Sequence, residues 1–90
     1  MTENELLPGT VVRHFKRGLS ETSSLGNEYL YEIICVCEHT ETAEKLVVYR
    51  ALYGKNKCYA RPLGMFLSEV DREKYPNAKQ KFRFEKYNGV

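Results

Sequence analysis

The stretch Tyr29–Glu38, YLYEIICVCE, decides the architecture. It is an unbroken run of aromatic, β-branched and small apolar residues without glycine or proline, and it reads as the strongest strand in the chain. The six residues that follow, HTETAE (39–44), are polar and short enough for a hairpin connection. KLVVYRALY (45–53) then returns as the partner strand. Alternate side chains of a strand share a face, and burying a charge is costly. Glu32 and Glu38 therefore mark the outer face of the first strand, with Tyr31, Ile33, Cys35 and Cys37 inward. Arg50 marks the outer face of the second, with Val47, Tyr49 and Ala51 inward. This assignment strands Ile34, Val36, Leu46, Val48 and Leu52 on the outside, a surface suited to a protein partner or a second copy. A β-bulge partway along would switch the phase and return some of them to the core.

Outward from that hairpin, residues 1–9 form a polar lead-in ending at the turn signal Pro8-Gly9. TVVRHFK (10–16) is a first strand, and the Ser- and Gly-rich 17–28 is a long surface loop. A GKN turn (54–56) leads to a short strand in KCYARP (57–62). Met65, Phe66, Leu67 and Val70 fit one or two helical turns within 64–76, stopped by Pro76. In KQKFRFEKY (79–87) Phe82 and Phe84 oppose Lys81, Arg83 and Glu85, the alternation of a last strand, and 88–90 is a tail. The gaps between strands are too short for helical crossovers. The expected fold is mainly β: a small SH3-like barrel or a strongly bent antiparallel sheet of about five strands with one short helix, occupying 10–87 as a single domain.

Ninety residues bury roughly 60% of the unfolded surface, a sufficient but thin core. Fourteen Lys and Arg against twelve Asp and Glu give a net charge of +2, too weak a bias to argue for nucleic acid alone. Three cysteines exclude a complete disulfide framework. The first residues carry no signal-peptide pattern, and no run approaches the ~18 apolar residues of a membrane span, so a reducing cytosol is the expected compartment.

CVCEHTE (35–41) concentrates two thiols, an imidazole and two carboxylates. In a regular strand Cys35, Cys37 and His39 lie on one face, with Cα atoms stepping by about 6.7 Å. Two zinc-bound sulfurs sit under ~4 Å apart, which parallel side chains reach only with distortion. A Cys35–Cys37 disulfide fails on the same geometry. His39 with Glu41 offers a base and its orienter, but no nucleophile elbow, P-loop or dinucleotide loop accompanies them. An enzyme or metal protein is therefore disfavoured, and no cofactor is implied.

Four motifs carry a family resemblance. They are Arg13-His14-Phe15-Lys16; His39-Thr40-Glu41-Thr42; Val48-Tyr49 with Ala51-Leu52-Tyr53-Gly54; and Arg61-Pro62 with Met65-Phe66. In this order, over residues 8–86, the chain resembles DUF1653, a family of small bacterial domains of unknown function. The departures are a longer 17–28 loop and Tyr59 where a tryptophan often stands. The resemblance implies a β-rich domain with no established activity. It also draws together His14, His39, Glu41, Tyr49, Tyr53 and Arg61 as candidates for one ligand groove, with Arg61 free to grip a carboxylate or phosphate. The bland alternative is an Arg61–Glu41 brace across strand ends, with the tyrosines packing their rings.

The favoured function is a non-catalytic interaction module for a peptide or protein, with a homodimer through the apolar strand face open. The alternative is a small nucleic-acid-binding domain using Arg13, Lys16 and Arg17, helped by Lys79, Lys81, Arg83 and Lys86. Glu69, Asp71, Glu73 and Glu85 dilute that second group.

Overall fold

A computed structural model describes residues 1–19 and 26–88. The decisive run forms the central strand β2 (Leu30–Glu38), between β1 (Val11–His14) and β3 (Lys45–Ala51). β4 (Cys58–Pro62) pairs with β3, and β5 (Phe84–Lys86) pairs with β1. All neighbours are antiparallel, giving one sheet in the order β4-β3-β2-β1-β5. A single helical turn, α1 (Leu63–Phe66), follows β4 directly.

β2 contains the bulge that its apolar outer face required. Ile33 faces Tyr49 and Cys35 faces Val48, so Ile34 has no opposite residue. Before the bulge Glu32 points outward and meets Arg50 at 2.7 Å. Beyond it the phase is reversed. Val36 packs against the core, whereas Cys37 is exposed and Cys35 half-buried. Two expectations are corrected by this one residue: Cys35 and Cys37 are not core thiols, and Val36 is not part of an outer patch. The premise that Glu32 and Glu38 share a face fails for the same reason, Glu38 being exposed at the strand end.

The sheet bends strongly but does not close, so the barrel gives way to the bent sheet. Its two edges approach through side chains. The Arg61 guanidinium of β4 lies 5.5 Å from the centre of the Phe84 ring of β5. Phe84 in turn stacks on Phe66 of α1 at 4.1 Å. The backbone of β5 is too short to carry a ladder across the gap. Upstream of Phe84, Arg83 N–H donates to Ser68 C=O and Val70 N–H to Lys81 C=O, both at 2.9 Å, so the chain there pairs with 68–70. The expected strand over 79–87 shrinks accordingly. The helix is equally brief, because the Ser68 hydroxyl donates to the Met65 carbonyl at 2.6 Å and the chain extends from there. β1 also ends early, at His14, where Phe15–Leu19 winds into a 3₁₀ turn. Of the expected 17–28 loop, 17–19 belong to that turn, while 20–25 lie outside the described residues, as do 89–90 of the tail.

The core lines the concave face. Val12, Ile33 and Val47 are fully buried against Phe66, and Leu6 joins them from the lead-in. The lead-in is thus more than a polar tail. Gly9 N–H donates to Ile33 C=O and Ile33 N–H to Thr10 C=O, each at 2.8 Å, which carries the chain along β2. Gly9 does this at φ +90°, where a side chain would be strained. Phe15, Val70 and Ala78 make a second, smaller cluster with Tyr75.

The bulge predicts a reversal that a regular strand would not show. Val36→Asp should cost about 2 kcal/mol or more, by pushing a charge against the core, and Cys37→Asp no more than about 0.5 kcal/mol. Urea unfolding of both variants measures the order, and the opposite order would require Cys37 to face inward. Phe66→Ala should cost about 3–5 kcal/mol, since its ring is fully buried.

Candidate functional site

The lead-in and α1 fill only part of the concave face. Elsewhere it is lined with aromatic rings. Tyr31 of β2, Tyr49 of β3 and Tyr59 of β4 come together because the strand registers place Ile33, Tyr49 and Tyr59 in one row and Tyr31 beside it. Their rings pack edge-on or tilted, 5.3 Å apart for Tyr31–Tyr49 and 5.8 Å for Tyr49–Tyr59. With His14, Lys16, Tyr29, Arg61 and Phe84 they enclose a hollow of about 250 Å³. A second hollow of about 250 Å³ adjoins it, sharing His14, Lys16 and Arg61 and adding Phe15, Asp71, Lys74, Tyr75 and Arg83.

Three features distinguish this region from a packed core. Arg61 Nη1 and Arg83 Nε, from two residues that line the hollows, are buried without a hydrogen-bond partner among the described residues, a state shared by the Nε atoms of the ion-paired Arg13 and Arg50. His14 is held neutral. Burial first, then the charges of Arg61, Lys16 and Arg83, lower its pKa to about 4. Its Nδ1 accepts the Lys16 N–H at 3.1 Å, so the ring proton resides on Nε2. Tyr29 sits at φ +65°, a left-handed conformation that a bulky residue adopts at roughly 1–3 kcal/mol. His14 N–H donating to its carbonyl and Leu30 N–H donating to Asn27, both at 3.0 Å, hold it there. The Tyr29 ring consequently stands 6.2 Å from His14 and 5.8 Å from Tyr53.

Tyr31 and Tyr49 are kept as neutral phenols. Burial raises the pKa of Tyr31 well above the usual range, and its hydroxyl shares a 2.8 Å hydrogen bond with that of Tyr53. Burial also raises Tyr49, against the opposing pull of Arg61. Among the lining residues the one carboxylate is Asp71, whose Oδ1 accepts the N–H groups of Glu73 and Lys74 at 3.1 and 3.3 Å. Positive charge and N–H donors therefore exceed the acceptors facing them, an arrangement that holds an anion beside a flat apolar group.

Of the six candidate ligand residues, His14, Tyr49 and Arg61 line the hollows, and Tyr53 supports Tyr31 from behind. His39 and Glu41 are elsewhere. His39 Nδ1 accepts the N–H of Glu41 at 3.1 Å and of Thr42 at 3.4 Å, tying the β2–β3 turn in which Ala43 takes φ +61°. Glu41 consequently makes no brace with Arg61 among the described ion pairs. The basic candidates disperse: Lys16 enters the site, Arg13 meets Glu85 at 3.3 Å, and Arg17 donates to the Glu28 carbonyl at 2.7 Å. Ile34, Leu46 and Val48 remain on the outer face, and Leu52 is half-buried with its N–H on the Leu30 carbonyl. Reading the sequence missed Tyr29, Tyr31, Tyr59, Lys74 and Phe84 as site residues. The available signal was seven tyrosines in a chain without tryptophan, three of them (Tyr31, Tyr49 and Tyr59) on strands. The thiols Cys35, Cys37 and Cys58 are unpaired. Among the described residues no three His, Cys, Asp or Glu side chains gather to hold a metal ion, and no helix is long and apolar enough to cross a membrane.

The sequence pattern of DUF1653, described as a protein of unknown function, matches residues 10–86 of the 90, and the chain belongs to this family. No curated protein and no solved structure matches it. Of the four motifs quoted above, those at 13–16, 48–54 and 61–66 contribute to the hollows, through His14, Phe15, Lys16, Tyr49 and Arg61, and the one at 39–42 builds the hairpin turn.

The state of His14 has a consequence for stability. Unfolded, it takes a proton near pH 6.5, and folded only near pH 4. Between these values the unfolded chain binds the extra proton, so this contribution to stability is full above about pH 6.5 and declines toward pH 4. Urea midpoints measured down through this window should fall less steeply for His14→Asn than for the wild type. Equal slopes would assign the decline to other groups.

Proposed function

We propose that this member of the DUF1653 family is a non-catalytic recognition module that takes a carboxylate or phosphate of its ligand on Arg61 and a flat part of it against the tyrosines. The observation that carries this is the guanidinium of Arg61. Its Nη1 is buried and unpartnered in a hollow that also holds Lys16 and neutral His14. A charged donor left in this state is strongly stabilised by a planar anion, which arginine grips with two parallel bonds. The backbone strain at Tyr29 fits the same purpose, since strained residues cluster at ligand clamps. The three unpaired thiols fit a reducing cytosol.

A peptide or protein as the carrier of that anion has one specific support. β4 is hydrogen-bonded to β3 alone, and Tyr59 and Arg61 project from it into the hollow. An extended peptide added to its free edge would lay alternate side chains over the site.

Inorganic phosphate tests the module directly. Amide NMR shifts should concentrate at His14, Lys16, Arg61 and Arg83, and the His14 pKa should rise from about 4 toward 6.5 when the anion is bound. Arg61→Gln should weaken phosphate about tenfold, and Lys16→Gln, at an exposed side chain, several-fold. Shifts spread evenly over the surface, or affinity indifferent to both substitutions, would overturn the proposal.

A further inference from the structure

We infer that the ligand is a nucleotide unit, its base in the aromatic hollow and its phosphate in the cationic one; the inference rests on the anion site proposed above. The two hollows are of equal size and meet at a shared wall of His14, Lys16 and Arg61. They differ in chemistry. Beyond the shared wall, the first is lined by four tyrosines and Phe84, and the second by Lys74, Arg83 and Asp71 together with the rings of Phe15 and Tyr75. A simple carboxylate or inorganic anion would account for the second hollow and leave the exposed face of Tyr59, which the core does not cover, without a partner. An apolar side chain would account for the rings and leave the cations unpaired. A nucleotide joins a flat π-surface to a phosphate across a short sugar, and the two hollows share a wall.

The details agree with this division. Lys16 and Lys74 each place an ammonium 5.8 Å from the centre of the same Tyr75 ring. Both lysines line the second hollow, where a phosphate would pair with them. On the other side, Tyr59 leaves 46% of its surface exposed, a face open to a stacking base. His14, in the shared wall, carries its proton on Nε2 as a neutral donor suited to a base carbonyl or a sugar oxygen. Asp71 uses Oδ1 for backbone N–H groups, leaving Oδ2 to accept from a sugar hydroxyl and keep the phosphate toward the lysines. The same chemistry comes from a free mononucleotide or from one unit of a single strand.

Tyrosine fluorescence reads binding without a label, because the chain has seven tyrosines and no tryptophan. The full chain would be titrated with AMP, UMP, ribose 5-phosphate, inorganic phosphate, a short single-stranded RNA and tetraglutamate. AMP and UMP should bind about tenfold or more tighter than ribose 5-phosphate, the contribution of one stacked base. Tyr59→Ala should erase that gap and leave phosphate affinity unchanged, while Lys74→Gln should weaken phosphate and nucleotide alike. RNA binding far tighter than AMP, with steep salt dependence, supports the inference with a nucleic acid as the source. Equal affinity for RNA and AMP supports it with a free nucleotide. Ribose 5-phosphate binding as tightly as AMP overturns the nucleotide and keeps the anion site. Tetraglutamate displacing phosphate where nucleotides do not overturns it in favour of an acidic peptide. Absence of any anion binding overturns both proposals.

Discussion

Phe84 is the contact through which the structure coheres. From the three-residue edge strand β5 its ring stacks on Phe66 at 4.1 Å, meets His14 edge-on at 5.0 Å, and touches Tyr31 and Tyr49 at 5.8 and 5.5 Å. Arg61 covers it from the opposite edge. An open sheet of five strands has two edges and one apolar face to bury, and a strand this short contributes few backbone bonds. Aromatic packing supplies the link instead. Edge-to-face pairs contribute about 0.5–1.5 kcal/mol each beyond area burial, so a ring with several such neighbours holds the bend where a closed ladder is absent.

The bulge at Ile34 determines what that bend encloses. Without the extra residue Val36 would point to solvent and two thiols would occupy its place in the core. With it, the inner face stays apolar along β2 while Glu32 remains outside, paired with Arg50. The surface ion pairs at Glu32–Arg50, Arg13–Glu85 and Glu3–Lys45 are partly exposed and contribute little to stability, on the order of 0–1 kcal/mol. The first two mark the outward side of β1, β2, β3 and β5.

The site is built from features that a fold optimised for stability alone would avoid: an unpartnered buried guanidinium nitrogen, a half-buried imidazole held neutral by burial and then by three cations, and a tyrosine in left-handed backbone. Each is a net cost to the unliganded chain. Each is also placed on a strand or at a strand end next to the buried core, where neighbours hold its geometry. Strain gathered in one open hollow, on a scaffold otherwise well packed, is the physical signature of a surface kept for a ligand.

What the amino-acid sequence determined by itself is local. The central hairpin, the succession of strands along the chain, the brevity of the helix and the split between inner Val47, Tyr49 and Ala51 and outer Arg50 all follow from alternation, β-propensity and turn residues within a few positions of each other. The need for a bulge was visible too, as too many apolar residues for one face. Its place at Ile34 was not, because it depends on the register against β3. Whether the sheet closes was likewise beyond local pattern, since residues 68–70 compete with β1 for the chain before Phe84. The site shows the same division. His14, Tyr49 and Arg61 stood out as polar or aromatic residues in odd places, but so did His39, which only a turn explains. The convergence of residues 14, 16, 29, 31, 59, 61 and 83 is a product of strand order and curvature, and no short-range rule relates positions so far apart in the chain.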